Sequence, residues 1–424
     1  MLQVEMNGII SSCQNSGIEL GAYKSDGKKG GKMSIKFTNV RIVTPTGIRD
    51  GEVVTQGGKI ADVSYGKSCR MEADQVIDGK GNYLSPGFID IHTHGAGNAD
   101  FMDGSLEAVY QACRKHMEHG TTALVPTTIT STKESLFETL EMFNQVELKR
   151  DDLPHILGLH LEGPYFSYSQ RGAQDPKYLR NPDPDEYIKA VEISNRIIRW
   201  SFAVELEGGH QFLQFLREHG IVASLAHSDA TCSEVMEAYE NGISALTHFY
   251  SGMSGVQRRN AFRIGGAIEA GYLLDDLYVE VIADGCHLPA ELLQLIYKIK
   301  GADRICLVTD SMRGAGMPEG HYVLGNKDTG MDTIVEDGVA KLPDRTAFAG
   351  SVAPDDRLVR TMYHLTDAPL YEVVKMMTLT PAKLLGIDRW KGSICQGKDA
   401  DLLLFNENIE IQLVMTRGKI QIQK

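Results

Sequence analysis

The sequence predicts an α/β fold, a (β/α)8 barrel joined to a small β-sandwich domain that is built from both chain ends. Two observations support this prediction. Between residues 87 and 391, apolar runs of strand length alternate with amphipathic stretches of helical period, which is typical of βα units around a parallel sheet. The flanking segments, 33–86 and 392–424, contain instead short strand-like runs separated by glycine turns.

Eight apolar runs of strand length can be counted in the middle segment. In chain order they are GFIDIHTHG, TTALVPTT, ILGLHLEG, WSFAVELEG, VASLAHS, ALTHFY, VEVIADG and RICLVTDS. Amphipathic stretches such as SLEAVYQACRKHMEHG and PAELLQLIYKIKG lie between them and predict helices. An open doubly wound sheet would give a similar alternation, but eight strands fit a closed barrel better.

The two chain ends are expected to form one small β-domain. Residues 33–86 include SIKFTNVRIVTPTG and GEVVTQGGKIADVSYG, and residues 392–424 have the same character. Residues 87–391 then form the barrel domain. Residues 1–32 contain the Gly- and Lys-rich stretch SGIELGAYKSDGKKGGK before any strand pattern begins, so they are expected to be an N-terminal extension.

Composition narrows the class of partner. The net charge is −13, from 43 Lys and Arg against 56 Asp and Glu, and no basic run is present, which argues against nucleic acid as a partner. No apolar stretch reaches the roughly 20 residues needed to span a bilayer, so no membrane is expected. Seven cysteines without a CxxC pair predict reduced thiols in a cytoplasmic protein. A small anionic substrate remains compatible, since one local arginine can hold a phosphate.

Polar side chains occur where the predicted barrel strands end. They are His92 and His94 after the first run, Glu162 after the third, His227 after the fifth, His248 after the sixth and Asp310 after the eighth, with His287 following the seventh. Active sites of such barrels lie at the C-terminal ends of the strands. The sequence therefore predicts that these side chains meet at one rim.

The pattern His92-Thr93-His94 is the strongest local signal for a metal. Side chains at i and i+2 of a strand share a face, so both imidazoles would point into the barrel mouth. Imidazole nitrogen together with carboxylate oxygen suits zinc and similar divalent cations. A structural, hydrogen-bonded role is the alternative for any single histidine of this set.

Glu162 and Asp310 each end an apolar run, where an unpaired carboxylate would be costly to bury. The alternatives are a buried ion pair of Glu162 with Arg171 and a helix cap at Asp310. Metal-assisted hydrolysis needs a base that takes a proton from water and returns it to a leaving amine, and Asp310 could serve both steps beside the metal. No serine nucleophile elbow, Walker loop or GxGxxG motif is present.

A longer series of motifs carries a family resemblance. In order it reads SPGFIDIHTHG, GLHLEGPY, RGAQDP, LAHSDAT, THFYSGM, IADGCHLP, LVTDS, AGS at 349–351, LTPAKLLG and GKDADLLLF. With this series, the chain from about Met33 onward closely resembles the N-acetylglucosamine-6-phosphate deacetylases of the amidohydrolase superfamily. The resemblance implies a homodimer that acts on a small amino-sugar phosphate.

The resemblance also implies roles for individual residues. Glu162, His227 and His248 match the ligands of the main hydrolytic metal, while His92 and His94 match a second-metal site that Glu162 bridges. Asp310 matches the catalytic aspartate beside the metal. Gln174 matches a residue near the scissile carbonyl, and His287 matches a substrate-binding histidine.

Two departures from the family pattern concern the phosphate. The family has an Asn-Ala pair after the sixth-strand histidine, whose backbone helps to hold the phosphate, and this chain has Ser251-Gly252. The family then has Arg followed by Glu-Pro-Gly, where this chain reads QRRNAFRIGG. Counting from Met253 places Arg259 at the phosphate, counting back from Gly265 places Asn260 there, and Arg263 is the reserve candidate.

The expected reaction is hydrolysis of N-acetylglucosamine 6-phosphate to glucosamine 6-phosphate and acetate. One or two divalent metals per chain are expected, with zinc favoured over iron, manganese or cobalt. The alternative substrates are N-acetylgalactosamine 6-phosphate, an unphosphorylated amino sugar and an N-acyl amino acid. A non-catalytic carbohydrate sensor is disfavoured, because binding alone would not need a general base such as Asp310.

Overall fold

The computed structural model describes residues 33–424, so the predicted extension of residues 1–32 lies outside the described residues. The strands of this range are β1 (Ser34–Thr44), β2 (Gly47–Gln56), β3 (Lys59–Tyr65), β4 (Gln75–Asp78), β5 (Tyr83–Pro86), β6 (Phe88–Thr93), β7 (Gly95–Ala96), β8 (Ala99–Asp100), β9 (Thr121–Thr128), β10 (His155–Ile156), β11 (Leu159–Glu162), β12 (Ile197–Phe202), β13 (Val222–Leu225), β14 (Ile243–Leu246), β15 (Gln257–Arg259), β16 (Phe262–Ile264), β17 (Tyr278–Val281), β18 (Ile305–Leu307), β19 (Gly320–Leu324), β20 (Met331–Glu336), β21 (Val339–Lys341), β22 (Leu402–Phe405), β23 (Ile411–Thr416) and β24 (Lys419–Gln423). The α-helices are α1 (Leu106–Met117), α2 (Lys133–Phe143), α3 (Pro184–Ile193), α4 (Gly209–Glu218), α5 (Cys232–Glu240), α6 (Ala267–Leu273), α7 (Ala290–Lys300), α8 (Asp355–Leu365), α9 (Leu370–Met376) and α10 (Leu379–Leu384).

A parallel barrel lies at the centre of the fold. It confirms the prediction of a closed barrel over an open doubly wound sheet. Strand β6 pairs with β9, and the sheet continues in the order β9, β11, β12, β13, β14, β17 and β18. The circle closes where the segment after β18 meets β6, because Asp310 N donates to His92 O at 2.9 Å and His94 N donates to Ser311 O at 2.8 Å. The eight strands are the eight apolar runs of the sequence.

Apolar side chains fill both sides of the barrel wall. Ile91, Val125 and Val308 belong to a buried cluster inside the barrel, and a larger cluster packs the outer face of the strands against the helices. Helix α5 begins after the loop that follows β13. Thr231 is its N-cap, and the side chains of Thr231 and Glu234 form a capping box.

Both chain ends contribute to one mixed sheet, as predicted for the small β-structure. Its strand order is β24, β23, β22, β5, β1, β2 and β3, with β4 paired to β1. The sheet curls over its own apolar core, in which Phe37 and Leu84 pack with Leu402 and Met415. The segment that precedes β22 meets the turn between β2 and β3, where Ala400 N donates to Gly58 O at 2.9 Å.

An inserted three-stranded sheet, β19–β21, covers part of the barrel mouth. It is the next sheet in the chain after β18, and its apolar face packs with Ala173 and Met312 in a separate buried cluster. The sequence did not predict this sheet as a distinct element. Among residues 33–424, no helix has both the length and the apolar character to cross a membrane.

Candidate active site and metal centre

A cavity of about 150 Å³ opens at the C-terminal ends of the barrel strands. Nine of the eleven residues proposed from the sequence line it, namely His94, Glu162, Gln174, His227, His248, Ser251, Gly252, His287 and Asp310. His92 lies directly beneath, fully buried at the end of β6. The cavity is therefore where the predicted side chains meet.

Glu162 is the centre of the cluster. Its Oε1 lies 2.9 Å from His248 Nε2 and 3.3 Å from His227 Nε2. Its Oε2 lies 3.4 Å from His94 Nε2 and accepts a hydrogen bond of 2.9 Å from Gln174 Nε2. Glu162 thus belongs to two groups of potential metal ligands, one with His92 and His94 and one with His227 and His248.

Asp310 faces Glu162 across the two histidines of β6. Its Oδ1 lies 3.2 Å from His94 Nε2 and 3.4 Å from His92 Nε2. Although burial raises the pKa of Asp310, the adjacent His92 and His94 rings outweigh it and hold that pKa below its usual value. Asp310 is therefore an ionised carboxylate at neutral pH, as a general base must be.

The backbone turns sharply at three of these positions. His227, His248 and Asp310 adopt left-handed conformations, with φ of +45°, +32° and +46°. Such angles are uncommon for residues other than glycine and cluster at functional sites. Each residue follows the last residue of its strand by two or three positions, so the turn directs the side chain over the barrel mouth.

Gly252 explains part of the departure in the motif after His248. A Cβ atom at this position would lie 2.7 Å from His227 Nδ1 and 2.8 Å from Gln170 O. That carbonyl accepts a 2.8 Å hydrogen bond from His227 Nδ1, which fixes the ring with Nε2 toward Glu162. A residue larger than glycine would disturb the His227 ring in this loop arrangement.

The ligand set fits one or two divalent cations. His92 Nε2 is fully buried and has no hydrogen-bond partner among residues 33–424, yet it points at the oxygens of Glu162 and Asp310. Nitrogen–oxygen separations of about 3 Å are those expected for two atoms bound to one ion at roughly 2 Å. Imidazole and carboxylate ligands are a suitable set for zinc and its neighbours.

The electrostatics of the cluster point the same way. Burial raises the pKa of Glu162, but its hydrogen bonds with His227 and His248 outweigh burial and hold that pKa well below 4.5. Burial lowers the pKa of His94 and His248, yet the carboxylates of Asp310 and Glu162 raise each of them to about 9. The two carboxylates thus demand positive charge here, which a bound cation would supply.

Two buried charged residues behind the cluster escaped the sequence analysis. Glu280 on β17 accepts hydrogen bonds from His92 Nδ1 at 3.0 Å and from His248 N at 3.2 Å, and it forms an ion pair with Arg199 on β12. Arg199 also donates to Ser224 Oγ, Thr247 Oγ1 and Ile91 O. The sequence does carry a signal for both residues, which is a charged residue inside an apolar run: Arg199 in IIRWSF and Glu280 in YVEV.

His160 packs against the same ring and has no place among the ligands. Its ring lies edge-on to His92 at 4.8 Å, and its nitrogens lie 3.2 Å from Thr127 Oγ1 and 2.7 Å from Ser201 Oγ. Burial, followed by the nearby Arg199, lowers the pKa of His160 well below 6.5, so the ring is neutral. His160 therefore packs beneath the ligand cluster as a buried, neutral side chain.

The alternatives for the two acids are not observed. Arg171 is partly buried and donates to Tyr168 O at 2.9 Å, away from Glu162. Asp310 caps no helix among residues 33–424, because the segment after it leads into β19. Both acids therefore belong to the cavity.

Besides His92, Arg259 is the other one of the eleven proposed residues that lies outside the cavity lining. It is exposed on the hairpin of β15 and β16, where its Nη2 lies 3.4 Å from Gln257 Oε1. The hairpin rises from the loop after β14, at the rim of the same cavity, because Gln257 Nε2 donates to Asp229 in the loop after His227.

Several apolar residues of the lining were also missed. Ile129 follows β9, Leu324 ends β19, and Phe348 packs on the His287 ring with centroids 4.7 Å apart. The inserted sheet brings Leu324 to the cavity and the loop after β21 brings Phe348, and no strand-end pattern marks them in the sequence.

Comparisons with known proteins show which family this chain resembles. The model of the Amidohydrolase family matches residues 83–421. N-acetylglucosamine-6-phosphate deacetylase of Lysinibacillus sphaericus is 32% identical over 92% of this chain and 98% of the relative. N-acetylgalactosamine-6-phosphate deacetylase of Escherichia coli O157:H7 is 30% identical over 81% of this chain and 89% of the relative. A mutant N-acetyl-D-glucosamine-6-phosphate deacetylase from Mycobacterium smegmatis, solved in complex with N-acetyl-D-glucosamine 6-phosphate, superimposes with a TM-score of 0.84 at 27% identity, over 93% of this chain and all of that one.

Proposed function

The chain belongs to the amidohydrolase family, and on that premise we propose that it hydrolyses N-acetylglucosamine 6-phosphate to glucosamine 6-phosphate and acetate. The observation that supports this most is the placement of the ionised Asp310 carboxylate within 3.4 Å of two imidazoles in a cavity that also holds Glu162. Metal-assisted amide hydrolysis requires a general base next to the ligands of a divalent cation, and this site has both.

We assign the ligands from the two groups that share Glu162. Glu162, His227 and His248 would hold the main metal, and His92 and His94 would hold a second one together with Glu162, with Asp310 adjacent. Zinc is favoured, and iron, manganese and cobalt suit the same ligands. A divalent cation in this position supplies electrophilic activation of the amide carbonyl and of a water molecule.

Asp310 carries the proton through the reaction. Its carboxylate accepts a proton from the attacking water as the water oxygen bonds to the acetyl carbon. The same carboxyl then donates this proton to the sugar nitrogen as the carbon–nitrogen bond breaks, releasing acetate and the free amine.

The remaining polar residues would orient the substrate. Gln174 would lie beside the scissile carbonyl, because its amide is fixed between Glu162 and Thr130 N. His287 Nδ1 lies 2.8 Å from Asp284 Oδ2, which leaves Nε2 to face the cavity and a sugar hydroxyl. The Ser251-Gly252 backbone and Arg259 would hold the phosphate.

N-acetylgalactosamine 6-phosphate is the second candidate substrate, because the relative in Escherichia coli O157:H7 that carries that name is 30% identical. The test is an acetate-release assay on a panel of N-acetylglucosamine and N-acetylgalactosamine, each with and without the 6-phosphate, plus an N-acetyl amino acid. We expect the highest kcat/KM on N-acetylglucosamine 6-phosphate. For the Asp310→Asn variant, kcat/KM on every substrate of the panel should stay below about one hundredth of that value. Preference for another member would reassign the substrate, and no acetate from any member would refute the proposal.

We also place the protein in the cytoplasm as a homodimer. Five cysteines of residues 33–424 are free thiols, namely Cys69, Cys113, Cys232, Cys286 and Cys306, which suits a reducing compartment. Three large apolar side chains between residues 256 and 273 are exposed, Val256, Phe262 and Leu273, as an interface between subunits would require. Sedimentation equilibrium should give twice the chain mass of 46.7 kDa, and a monomer at all concentrations would contradict the dimer.

A further inference from the structure

Ile129 and Leu324 form a wall between two cavities. The active-site cavity and a neighbouring cavity of about 280 Å³ are both lined by these two side chains. The neighbouring cavity is otherwise largely polar, with Ser131, Ser135 and Asn326 in its lining. We infer that this wall, defined by Ile129 and Leu324, sets the length of the acyl group that the enzyme removes, an inference that rests on the proposed deacetylation.

The wall lies on the side of the barrel away from the proposed phosphate position. Ser251 and Gly252 follow β14, the sixth strand of the barrel, whereas Ile129 follows β9, the second strand. In an eight-stranded barrel, the second strand is diametrically opposite the sixth. A substrate with its phosphate at the sixth strand therefore extends its far end across the metal ligands toward the wall.

Gln174 connects the wall to the reacting bond. Its Nε2 donates to Glu162 Oε2 at 2.9 Å, and its Oε1 accepts from Thr130 N at 3.1 Å. Thr130 follows Ile129 directly, so the side chain assigned to the scissile carbonyl bridges the metal ligands and the wall. The carbon attached to that carbonyl is thus the part of the substrate nearest Ile129 and Leu324.

The wall is rigid because its backbone is fixed by buried ionic groups. Arg313 donates to Val323 O at 2.6 Å and to Gly325 O at 2.5 Å, on both sides of Leu324. Gly325 N in turn donates to the buried Asp100 at 3.1 Å. On the other side, Ile129 Cγ2 lies so close to Gly325 that a Cβ there would be only 3.0 Å away.

A rigid apolar wall discriminates by size. One acetyl methyl can rest against it, but a longer acyl chain must displace Leu324 or Ile129 from a packed position. One methylene in an apolar pocket changes kcat/KM by about 10- to 200-fold. The empty volume beyond the wall is what a longer chain would occupy once the wall is removed.

The test compares N-acetyl, N-propionyl and N-butyryl glucosamine 6-phosphate, with release of glucosamine 6-phosphate as the readout common to all three. Wild-type enzyme should prefer acetyl over butyryl by at least about 100-fold in kcat/KM. Leu324→Ala and Ile129→Ala should each lower this ratio at least about tenfold and raise the absolute rate on the butyryl substrate.

Val335→Ala is the matched control, because Val335 is buried in the same cluster as Leu324 but lines neither cavity. It should leave the acyl ratio unchanged. Thermal unfolding and metal content establish that each variant is folded. If Leu324→Ala does not fold, the test relies on Ile129→Ala, because Ile129 is only partly buried. The inference would be overturned if the acetyl-to-butyryl ratio of kcat/KM were unchanged in folded wall variants, or if wild-type enzyme cleaved all three substrates equally well. If wild-type enzyme cleaved none of them, the proposed function would be refuted and the inference with it.

Discussion

Glu280 Oε2 lies 3.0 Å from Nδ1 of His92 and also accepts the backbone N–H of His248 at 3.2 Å. One carboxylate oxygen therefore positions residues from both groups of potential metal ligands. A carboxylate behind a ligating imidazole fixes the tautomer and the orientation of its ring. Here it leaves His92 Nε2 directed at Glu162 and Asp310.

We expect Glu280→Gln to weaken the second metal site selectively. The amide is the same size but lacks the charge that neutralises Arg199 and favours Nδ1–H of His92, so affinity for the second metal should fall about 10- to 100-fold. Competition with a chelator of known affinity, read by elemental analysis, measures the loss.

Glu186→Gln is the control for this variant, because Glu186 is also a buried carboxylate paired with an arginine, the partly buried Arg180, away from the cavity. It should leave both metal affinities unchanged. Equal loss of metal in the two variants would mean that Glu280 acts only through general stability.

The barrel and its rim were predictable because their signals are local. A strand of alternating side chains puts His92 and His94 on one face whatever the rest of the chain does. Glu162 and Asp310 stood out because a carboxylate that ends an apolar run needs a partner. These residues could be placed at one rim since parallel barrel strands all end there.

What the sequence could not predict depends on contacts between distant segments. Glu280 and Arg199 lie in separate strands, and only the closed barrel brings their charges together in its interior. Leu324 reaches the cavity through an inserted sheet, whose position is set by Arg313 and Asp100. Neither arrangement has a spacing that can be read along the chain.

Glu162→Gln should abolish binding of the main metal. Glu162 is the residue common to both ligand groups, and an amide in its place would lack the negative charge and the second ligand oxygen of the carboxylate. Elemental analysis of protein purified without chelator should fall from about one or two metals per chain to nearly none.

His92→Gln is the matched comparison for that experiment, since His92 belongs to only one of the two groups. It should lose the second metal and keep the main one. Full activity in metal-free wild type would contradict the metal assignment altogether.

Asp310→Asn should keep the fold and the metal but lower kcat at least about a hundredfold, because the amide cannot accept the proton from water. Steady-state kinetics together with metal content check this expectation. The assignment fails if the variant turns over substrate at a rate near that of wild type.

His155 should make the fold sensitive to mild acid. Burial, and then the nearby Lys391, lower the pKa of His155 from 6.5 to about 3. Because the folded-state pKa lies below the unfolded value, the stabilisation is complete above pH 6.5 and is lost as the pH falls toward 3. Between pH 7 and pH 5 this one residue should lower the free energy of unfolding by about 2 kcal/mol.

His155→Phe removes the titrating group and keeps an aromatic ring against Trp390, which lies 5.6 Å away. The melting temperature of the variant should therefore fall less than that of wild type from pH 7 to pH 5. Parallel melting curves for the two proteins over this range would show that His155 is protonated in the folded state.

The register of the hairpin decides which arginine is placed to hold the phosphate. Gln257 pairs with Ile264, Arg258 with Arg263 and Arg259 with Phe262. Since residues two apart on a strand share a face, Arg259 lies on the face of Gln257. That face contacts the Asp229 loop next to His227, so it is the one turned to the cavity, while Arg258 and Arg263 share the opposite face.

Arg259→Ala should therefore weaken binding of the phosphorylated substrate. Arg258→Ala is the control, because Arg258 is the neighbouring residue on the other face of the hairpin. Loss of a charge-assisted hydrogen bond costs about 1.5 to 3 kcal/mol, which corresponds to a roughly ten- to hundredfold rise in KM for the sugar phosphate. Arg258→Ala should change KM little, and neither variant should affect an unphosphorylated N-acetyl sugar. A larger effect from Arg258 or Arg263 than from Arg259 would mean that the hairpin turns its other face to the substrate, and equal losses on both kinds of sugar would show that Arg259 is structural.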